Sequence, residues 1–196
     1  MARYSSEHKS ETRQRILAAA DRVMKARGVP AASVDAVMRE AGLTVGGFYA
    51  HFESKDALAR EALLCGLERS VDRLLASLAP IVDRKAWVRA LIAHYLAQVE
   101  DPDLAHACPM TLFMPDLARA DREARNAFAT RTAALLDRIA GHFPDVPEMS
   151  RHEAALAVYT SCAGAVSVAR AVAAPEARQR IVRTTEKMLL RAMALD

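Results

Sequence analysis

Two short apolar patterns, separated by a glycine, lie between positions 33 and 53. The first has four apolar residues at i, i+3, i+4 and i+7 of a helix, namely Val34, Val37, Met38 and Ala41. Gly42 follows directly, at the place where helices favour a residue of positive φ. Phe48 and Phe52, four residues apart, predict the apolar side of a second helix. Two short helices joined by a sharp turn are typical of a helix-turn-helix, in which the second helix enters the DNA major groove.

Polar residues stand at the expected ends of these elements. Ser33 is a good N-cap for the first helix, and Asp35 puts negative charge in its first turn, where the helix dipole favours it. Thr44 is placed to cap the second helix. Ser54 is placed to cap a further helix whose first turn contains Lys55. The cap residues therefore support the boundaries that the apolar pattern predicts.

The rest of the chain also has helical spacing of its apolar residues. The predicted helices cover approximately residues 10–27, 54–77, 85–99, 104–118, 122–142, 150–173 and 175–195. Pro109 and Pro115 are expected to kink or divide the segment that contains them, and Ser150 and Glu153 fit a capping box. Residues 1–9 are expected to form a flexible arm.

We therefore predict an all-α fold in two parts. Residues 1–53 would form a three-helix head with its helix-turn-helix at about 33–53, and residues 54–196 would form a helical body. The composition agrees, because 52% of the 196 residues are hydrophobic while glycine and proline number only 7 and 8. So few turn residues argue against a β fold with many turns.

The positive charge is concentrated in one part of the chain. The net charge is +3. Residues 1–60 contain ten Lys and Arg against seven Asp and Glu, and the remaining 136 residues contain 17 of each sign. All of the excess therefore belongs to the helix-turn-helix end, as an electrostatic attraction to nucleic acid requires.

Several other classes of protein are disfavoured. The 3 cysteines are widely spaced and odd in number, so they form neither a disulfide framework nor a metal motif. No glycine-rich phosphate loop and no HExxH motif occurs, and we expect no cofactor and no metal. The longest charge-free run, 154–169, is 16 residues, which is short for a membrane span, and the first residues lack a signal-peptide core. We expect a cytoplasmic protein without a membrane partner.

The segment from Gly42 to Lys55, GLTVGGFYAHFESK, resembles the DNA-binding module of TetR-type transcriptional regulators. That family has glycine, aromatic-Tyr, His-Phe and Ser-Lys at the same spacings, and the resemblance extends from about Thr12 to Leu64. It implies a homodimeric regulator, by family habit a repressor, that binds a palindromic operator and is released by a small-molecule effector. It does not imply an enzyme.

The resemblance implies that Tyr49, His51 and Lys55 contact phosphates, and a phenol, an imidazole and an ammonium can each donate to phosphate oxygens. Base recognition is harder to assign, because the second helix carries Val45 and two glycines where long polar side chains are common. Valine can contact a thymine methyl, and glycines allow close backbone approach. Hydrogen-bonded recognition would then fall on neighbouring polar residues or on the arm. The full predicted set is Ser33, Arg39, Thr44, Val45, Gly46, Gly47, Tyr49, His51 and Lys55.

The body needs a dimer surface and an effector pocket. The helix predicted from Ser150 is rich in small residues that permit close helix approach, and with the last helix it would form a four-helix bundle across a two-fold axis, as in the resembled family. Two half-sites about 34–36 Å apart match two heads. The candidate pocket residues are Trp87, His94, Tyr95, Cys108, Met110, Phe113, Met114, Phe128 and Tyr159.

Cys108 supports an alternative interpretation. Pro109 beside it could expose the thiol, and His106, if protonated nearby, could lower the pKa of that thiol. Some TetR-type regulators sense electrophiles or oxidants through a cysteine in a Gly-Cys segment, although alanine replaces that glycine here. The alternatives are thus a redox-sensing or electrophile-sensing regulator of the same fold and, with little support, a thiol-dependent enzyme that pairs Cys108 with His94 or His106.

Overall fold

The computed structural model describes residues 2–104 and 107–195, and His106 lies outside them. The chain is all-α as predicted, and its described residues contain no β-structure beyond one bridge between Val146 and Met149. The elements are α1 Ala2–Arg27, α2 Val34–Glu40, a 3-10 helix Val45–Ala50, α3 Lys55–Leu78, α4 Arg84–Ala97, α5 Met110–Ala118, α6 Arg122–Ala140, α7 Arg151–Arg170 and α8 Pro175–Ala192.

One prediction about these elements was wrong, and another is made more specific. The backbone of α1 is helical from Ala2, so residues 2–9 form a helix and not a flexible arm. No glycine or proline lies between Ala2 and Ser10, so nothing in that segment interrupts the helix. The second helix of the helix-turn-helix is a 3-10 helix, with i to i+3 bonds such as that from the Gly47 N–H to the Thr44 carbonyl, 3.2 Å.

The predicted caps are confirmed where their hydrogen bonds are present. The Ser33 hydroxyl accepts from the Ala36 N–H at 3.1 Å, and the Ser54 hydroxyl accepts from the Ala57 N–H at 3.0 Å. Ser150 and Glu153 form the predicted capping box at the start of α7. Thr44 stands at the N-cap position of the 3-10 helix, but its side chain makes no capping bond.

The chain divides into two compact units. The N-terminal unit comprises Met1–Arg69 and Asp103–Arg125, and the C-terminal unit comprises Ser70–Pro102 and Asn126–Asp196. In the N-terminal unit, buried apolar residues of α1 and α2 pack with two phenylalanines, one within the 3-10 helix and one just after it. These residues include Ile16, Leu17, Met24, Val37, Met38, Phe48 and Phe52. This core fixes the helix-turn-helix against α1.

The C-terminal unit is built mainly from α4, α7 and α8, which pack against one another. Its aromatic residues contact each other: Tyr95 meets Tyr159 edge-on at 5.7 Å, and Trp87 stacks on His142 at 4.6 Å. The Arg170 guanidinium donates to the Gln98 carbonyl at 2.7 Å and so ties α7 to the residue after α4.

Gly66 lies in the middle of α3, where it carries a cost in helix propensity. A Cβ at this position would lie 2.7 Å from Oδ1 of Asp21 and 3.1 Å from Cγ of Pro109. The Asp21 carboxylate is itself held in place, because its Oδ2 is 3.0 Å from the Lys25 ammonium and 3.2 Å from the Arg69 guanidinium. Glycine is needed here because α1 and the chain before α5 approach α3 closely.

Candidate nucleic-acid interface

The turn between α2 and the 3-10 helix has the geometry that the sequence predicted. Gly42 has φ of +68°, which places it in the left-handed region favoured by glycine. The Leu43 N–H donates to the Met38 carbonyl at 2.8 Å, and the Gly42 N–H donates to the Arg39 carbonyl at 3.0 Å. These bonds satisfy carbonyl groups at the end of α2 and reverse the chain direction sharply.

Phe48 anchors the 3-10 helix and presents Tyr49 to solvent. The Phe48 ring is fully buried and stacks on Phe52, with ring centroids 5.8 Å apart. The Tyr49 ring meets Phe48 edge-on at 5.1 Å, yet Tyr49 is 74% exposed. An aromatic ring supported on one side and exposed on the other suits a phenol that donates a hydrogen bond to an external partner.

At positions 45–47 the outer surface of the 3-10 helix carries only one small side chain, that of Val45, and we call this the bare surface. Val45 and Gly46 are exposed, and Gly47 is half-buried. A Cβ on Gly46 would meet no atom within 4 Å, and one on Gly47 would meet only Met38, at 3.9 Å. Neither glycine has a positive φ. Neither internal packing nor backbone conformation therefore requires glycine at these two positions.

The polar candidates around this surface are exposed but differ in their contacts. Arg39 pairs with Asp35 one turn earlier on α2, where both side chains are exposed. An exposed pair of this kind contributes little to stability and can exchange partners. Ser33 and Thr44 are also exposed, and the Ser33 hydroxyl is engaged as the cap of α2.

His51 lies at the end of the 3-10 helix, beside basic residues of α1. Its Nδ1 is buried and has no hydrogen-bond partner among the described residues. Burial, and then the charges of Lys9 and Arg13, lower the pKa of His51 from its ordinary 6.5. The imidazole is thus neutral near pH 7, and it would gain a proton most readily next to a negative charge.

Arg13 also fixes this basic corner to the core. Its guanidinium lies over the Phe52 ring, 4.6 Å from the centroid, and pairs with Glu61 at 2.5 Å. The sequence-based prediction assigned no role to Arg13, and it placed Lys9 in an arm. The available signal was their separation of four residues, which puts both on one face of a continuous helix.

Lys55 is half-buried, and its ammonium donates to the Pro30 carbonyl at 2.9 Å. The start of α3 is thereby joined to the turn that follows α1. The structure thus brings the predicted residues from Thr44 to Lys55 together on the N-terminal unit, with Ser33 and Arg39 on the adjacent α2.

The predicted effector residues are divided between the two units. Trp87, His94, Tyr95 and Tyr159 belong to the C-terminal unit, where His94 is exposed and the other three are buried. Phe128 also belongs to that unit and is half-buried. Cys108, Met110, Phe113 and Met114 belong to the N-terminal unit. Of all these residues, only Phe113 lines a cavity of about 690 Å³ that the described residues of the N-terminal unit form.

The cysteines differ in exposure. Cys108 and Cys162 are buried, and Cys65 is half-buried. Burial raises the pKa of the Cys162 thiol to about 12, so this thiol is inert at neutral pH. Over the part of the chain that the structure describes, none of the helices has the length and apolarity needed to cross a membrane.

Known proteins share these features to different extents. Residues 16–62 match the family described as bacterial regulatory proteins, tetR family. Over 55 residues the chain is 49% identical to TtgW of Pseudomonas putida, described as an uncharacterized HTH-type transcriptional regulator; the match covers 28% of this chain and 41% of TtgW. The chain thus spans less than half the length of this relative.

Two solved structures share the fold over most of their length. One is a TetR transcriptional regulator from Chloroflexus aurantiacus, with a TM-score of 0.70 and 22% identity over 94% of this chain and 97% of that one. Another is a protein from Saccharomonospora viridis in complex with choline, described as a transcriptional regulator, with a TM-score of 0.72 and 18% identity over 92% and 96%. All three proteins are described as transcriptional regulators.

Proposed function

This chain belongs to the tetR family of bacterial regulatory proteins, and we propose that it regulates transcription as a repressor that binds a palindromic operator as a homodimer. The main support for this proposal is the exposed surface of the 3-10 helix Val45–Ala50, together with the basic residues Lys9 and Arg13 of α1 beside its end. The head, residues 1–53, would bind the operator, and the body, residues 54–196, would dimerise.

In this proposal the phosphate contacts come from Tyr49, His51 and Lys55. The Tyr49 phenol is exposed. The pKa of His51 is lowered in the free protein, and the negative charge of a phosphate would raise it and favour the protonated imidazole. The Lys55 ammonium donates to the Pro30 carbonyl, which is a neutral group. Because an ammonium has three N–H donors, Lys55 can also donate to a phosphate. These contacts would position the head on the duplex without reading its sequence.

Base recognition would use the bare surface and its polar neighbours. With no side chain at Gly46, the backbone can approach the floor of the major groove closely, and the Val45 methyl groups can contact a thymine methyl. Hydrogen-bonded recognition would come from Thr44, whose hydroxyl makes no capping bond, and from Arg39 once it exchanges Asp35 for DNA.

The dimer surface would be formed by α7 and α8. Leu156, Val168 and Met188 are large hydrophobic residues that remain exposed on these helices, and a Cβ on Gly164 would meet nothing within 4 Å. Leu156, Gly164 and Val168 lie at steps of four or eight along α7 and thus share one face. Apolar residues aligned on one exposed face support association with a second copy.

We further propose that a small molecule releases the operator by favouring a dimer whose heads no longer fit two half-sites. A similarly folded protein has been solved with choline, which supports a ligand site in this fold. The candidates in the C-terminal unit are Trp87, His94, Tyr95, Phe128 and Tyr159, and those in the N-terminal unit are Cys108, Met110, Phe113 and Met114.

Selection from a pool of random DNA duplexes at moderate salt tests the DNA-binding proposal. The expected result is enrichment of an inverted repeat whose half-sites lie about 34–36 Å apart, as two symmetric heads require. Binding to the selected duplex should weaken steeply with salt, since each phosphate contact releases counterions. A pool without any enriched sequence after repeated rounds would show that the proposal is wrong.

A further inference from the structure

A cavity with a volume of about 690 Å³ lies entirely within the N-terminal unit. This volume is within the range of about 300–1,000 Å³ that small-molecule sites occupy. Its walls come from the end of α1 and the following turn, from the start of α3, from α5, and from the start of α6. They include Met24, Pro30, Lys55, Arg60, Leu63, Phe113, Asp116, Arg119, Ala120, Asp121 and Ala124.

Apolar and charged residues occupy different parts of this wall. The buried lining residues are apolar, namely Met24, Leu63, Phe113 and Ala124. The charged lining residues are half-buried or exposed. A cavity with a buried apolar part and a charged rim suits a ligand with an apolar body and one polar or ionised group.

The carboxylates on the rim are engaged by the protein. Asp116 pairs with Arg119 at 3.1 Å, and the Asp121 carboxylate accepts from the Ala124 N–H at 2.7 Å as the cap of α6. Asp56 stands in the first turn of α3, where the helix dipole favours its negative charge. Asp116 and Asp121 therefore already have partners, and the helix dipole stabilises the charge of Asp56.

Two cationic side chains on the rim, Lys55 and Arg60, can donate further hydrogen bonds to a ligand. Lys55 donates to a neutral carbonyl, that of Pro30. Arg60 is 3.5 Å from a carboxylate oxygen of Glu123, a residue whose side chain is 85% exposed, so this pair is weak. A guanidinium has five N–H donors and an ammonium three, and both bind carboxylate or sulfonate groups strongly.

We propose that this cavity binds a small organic anion with an apolar body, whose anionic group is held by Arg60 and Lys55. The apolar body would contact Met24, Leu63 and Phe113. The site differs from the cluster of aromatic residues in the C-terminal unit, because all of its lining residues belong to the N-terminal unit.

The position of Lys55 gives this site a means of regulation, which rests on the proposed DNA-binding function. The same ammonium is proposed to contact an operator phosphate. An anionic ligand in the cavity would bind that ammonium and compete with the phosphate, so ligand and operator would weaken each other's binding by the same factor. Regulation would then act at the DNA-binding surface itself.

The site can be tested without DNA by titrating the protein with anilinonaphthalene sulfonate, a fluorescent anion with an aromatic body. Phenylnaphthylamine, which has the same rings but no sulfonate, is the matched neutral probe. Arg60→Gln should weaken sulfonate binding by about tenfold, as the loss of a charge-assisted hydrogen bond predicts, and should leave the neutral probe unchanged. Arg73→Gln removes the same charge from an exposed position on α3 outside the cavity and should change neither titration.

A second variant tests the location. Ala120→Phe adds a ring to the cavity wall and should weaken both probes, provided that circular dichroism and thermal unfolding match the wild type. Equal affinity of the wild type and Arg60→Gln for the sulfonate probe would refute the proposal that Arg60 holds the anionic group in this cavity. Equal affinity of the wild type for the two probes would overturn the preference for an anion. Because Arg60→Gln is close in shape to the wild type, the test remains decisive if Ala120→Phe does not fold.

The regulatory part is tested on the selected operator duplex at constant salt. Saturating sulfonate probe should lower the operator affinity of the wild type by about tenfold or more, the range of ordinary allosteric coupling, and should have a smaller effect at the same concentration on Arg60→Gln. Unchanged operator affinity at saturating probe would refute the regulation while leaving DNA binding intact. If the wild type selects no operator, the proposed function fails, and the probe titrations still decide whether the cavity is a ligand site.

Discussion

Gly46→Ala should change folding stability and DNA binding in opposite directions. The new Cβ would meet no atom within 4 Å, and Gly46 does not have a positive φ, so the folded state can accept the methyl group without strain. Alanine also restricts the unfolded chain more than glycine does. The free energy of unfolding should therefore rise by about 0.5–1 kcal/mol, which raises the melting temperature of a chain of this size by about 1–4 °C.

Operator affinity should fall, because the methyl group would occupy the space through which the backbone approaches the bases. An extra methyl group in a tightly fitted interface costs about 1 kcal/mol or more of binding free energy. The dissociation constant for the operator should therefore rise at least about fivefold. Thermal unfolding and fluorescence anisotropy on the selected duplex measure the two effects. Gly141→Ala is the matched control, since its Cβ would meet only the Arg138 carbonyl, at 3.7 Å, in the C-terminal unit.

Two results would refute this reasoning separately. A loss of stability in Gly46→Ala would mean that the fold itself needs the glycine. Operator affinity within twofold of the wild type, with stability raised as expected, would mean that DNA does not approach the backbone at this position. The bare surface would then need another explanation.

Three further predictions concern other parts of the chain. Operator affinity at constant salt should rise as the pH falls toward and below 6.5. The reason is that the pKa of His51 is lowered in the free protein, whereas a phosphate would raise it in the complex. Anisotropy titrations of His51→Gln should show a flatter pH dependence. Gly66→Ala should lower the free energy of unfolding in urea by about 1–3 kcal/mol, since its methyl group would lie 2.7 Å from Asp21, and an unchanged or higher value would contradict the close approach. Val168→Glu should convert a dimer to a monomer in sedimentation. Val82→Glu, at a 93% exposed position outside the helices, should leave the dimer intact. A Val168→Glu dimer would show that this face of α7 does not form the interface.

Much of the local structure could be predicted from the sequence, because short-range chemistry determines it. The apolar stripe of α2, the positive φ of Gly42 and the caps at Ser33, Ser54 and Ser150 each depend on residues within a few positions. The start of α1 was missed because the flexible arm was assumed despite the absence of any helix breaker.

Features that depend on distant residues could not be predicted in the same way. The need for glycine at position 66 comes from Asp21 and Pro109, which lie more than forty residues away on either side. The cavity likewise joins residues near Met24 to residues near Ala124. Residue type indicates Tyr95 and Tyr159 as effector candidates, and in the structure their two rings pack against each other. Residue type alone does not separate a packed aromatic pair from a ligand site.

If the surface around the 3-10 helix binds a specific DNA sequence, as we propose, the wild-type protein should distinguish the selected duplex from a scrambled duplex of equal length and composition. The decisive measurement compares its affinity for the two duplexes at physiological salt. We predict a ratio of at least about 10³, as specific regulators show, and a ratio at least about fivefold lower in Gly46→Ala. Equal affinity for the two duplexes would contradict the account.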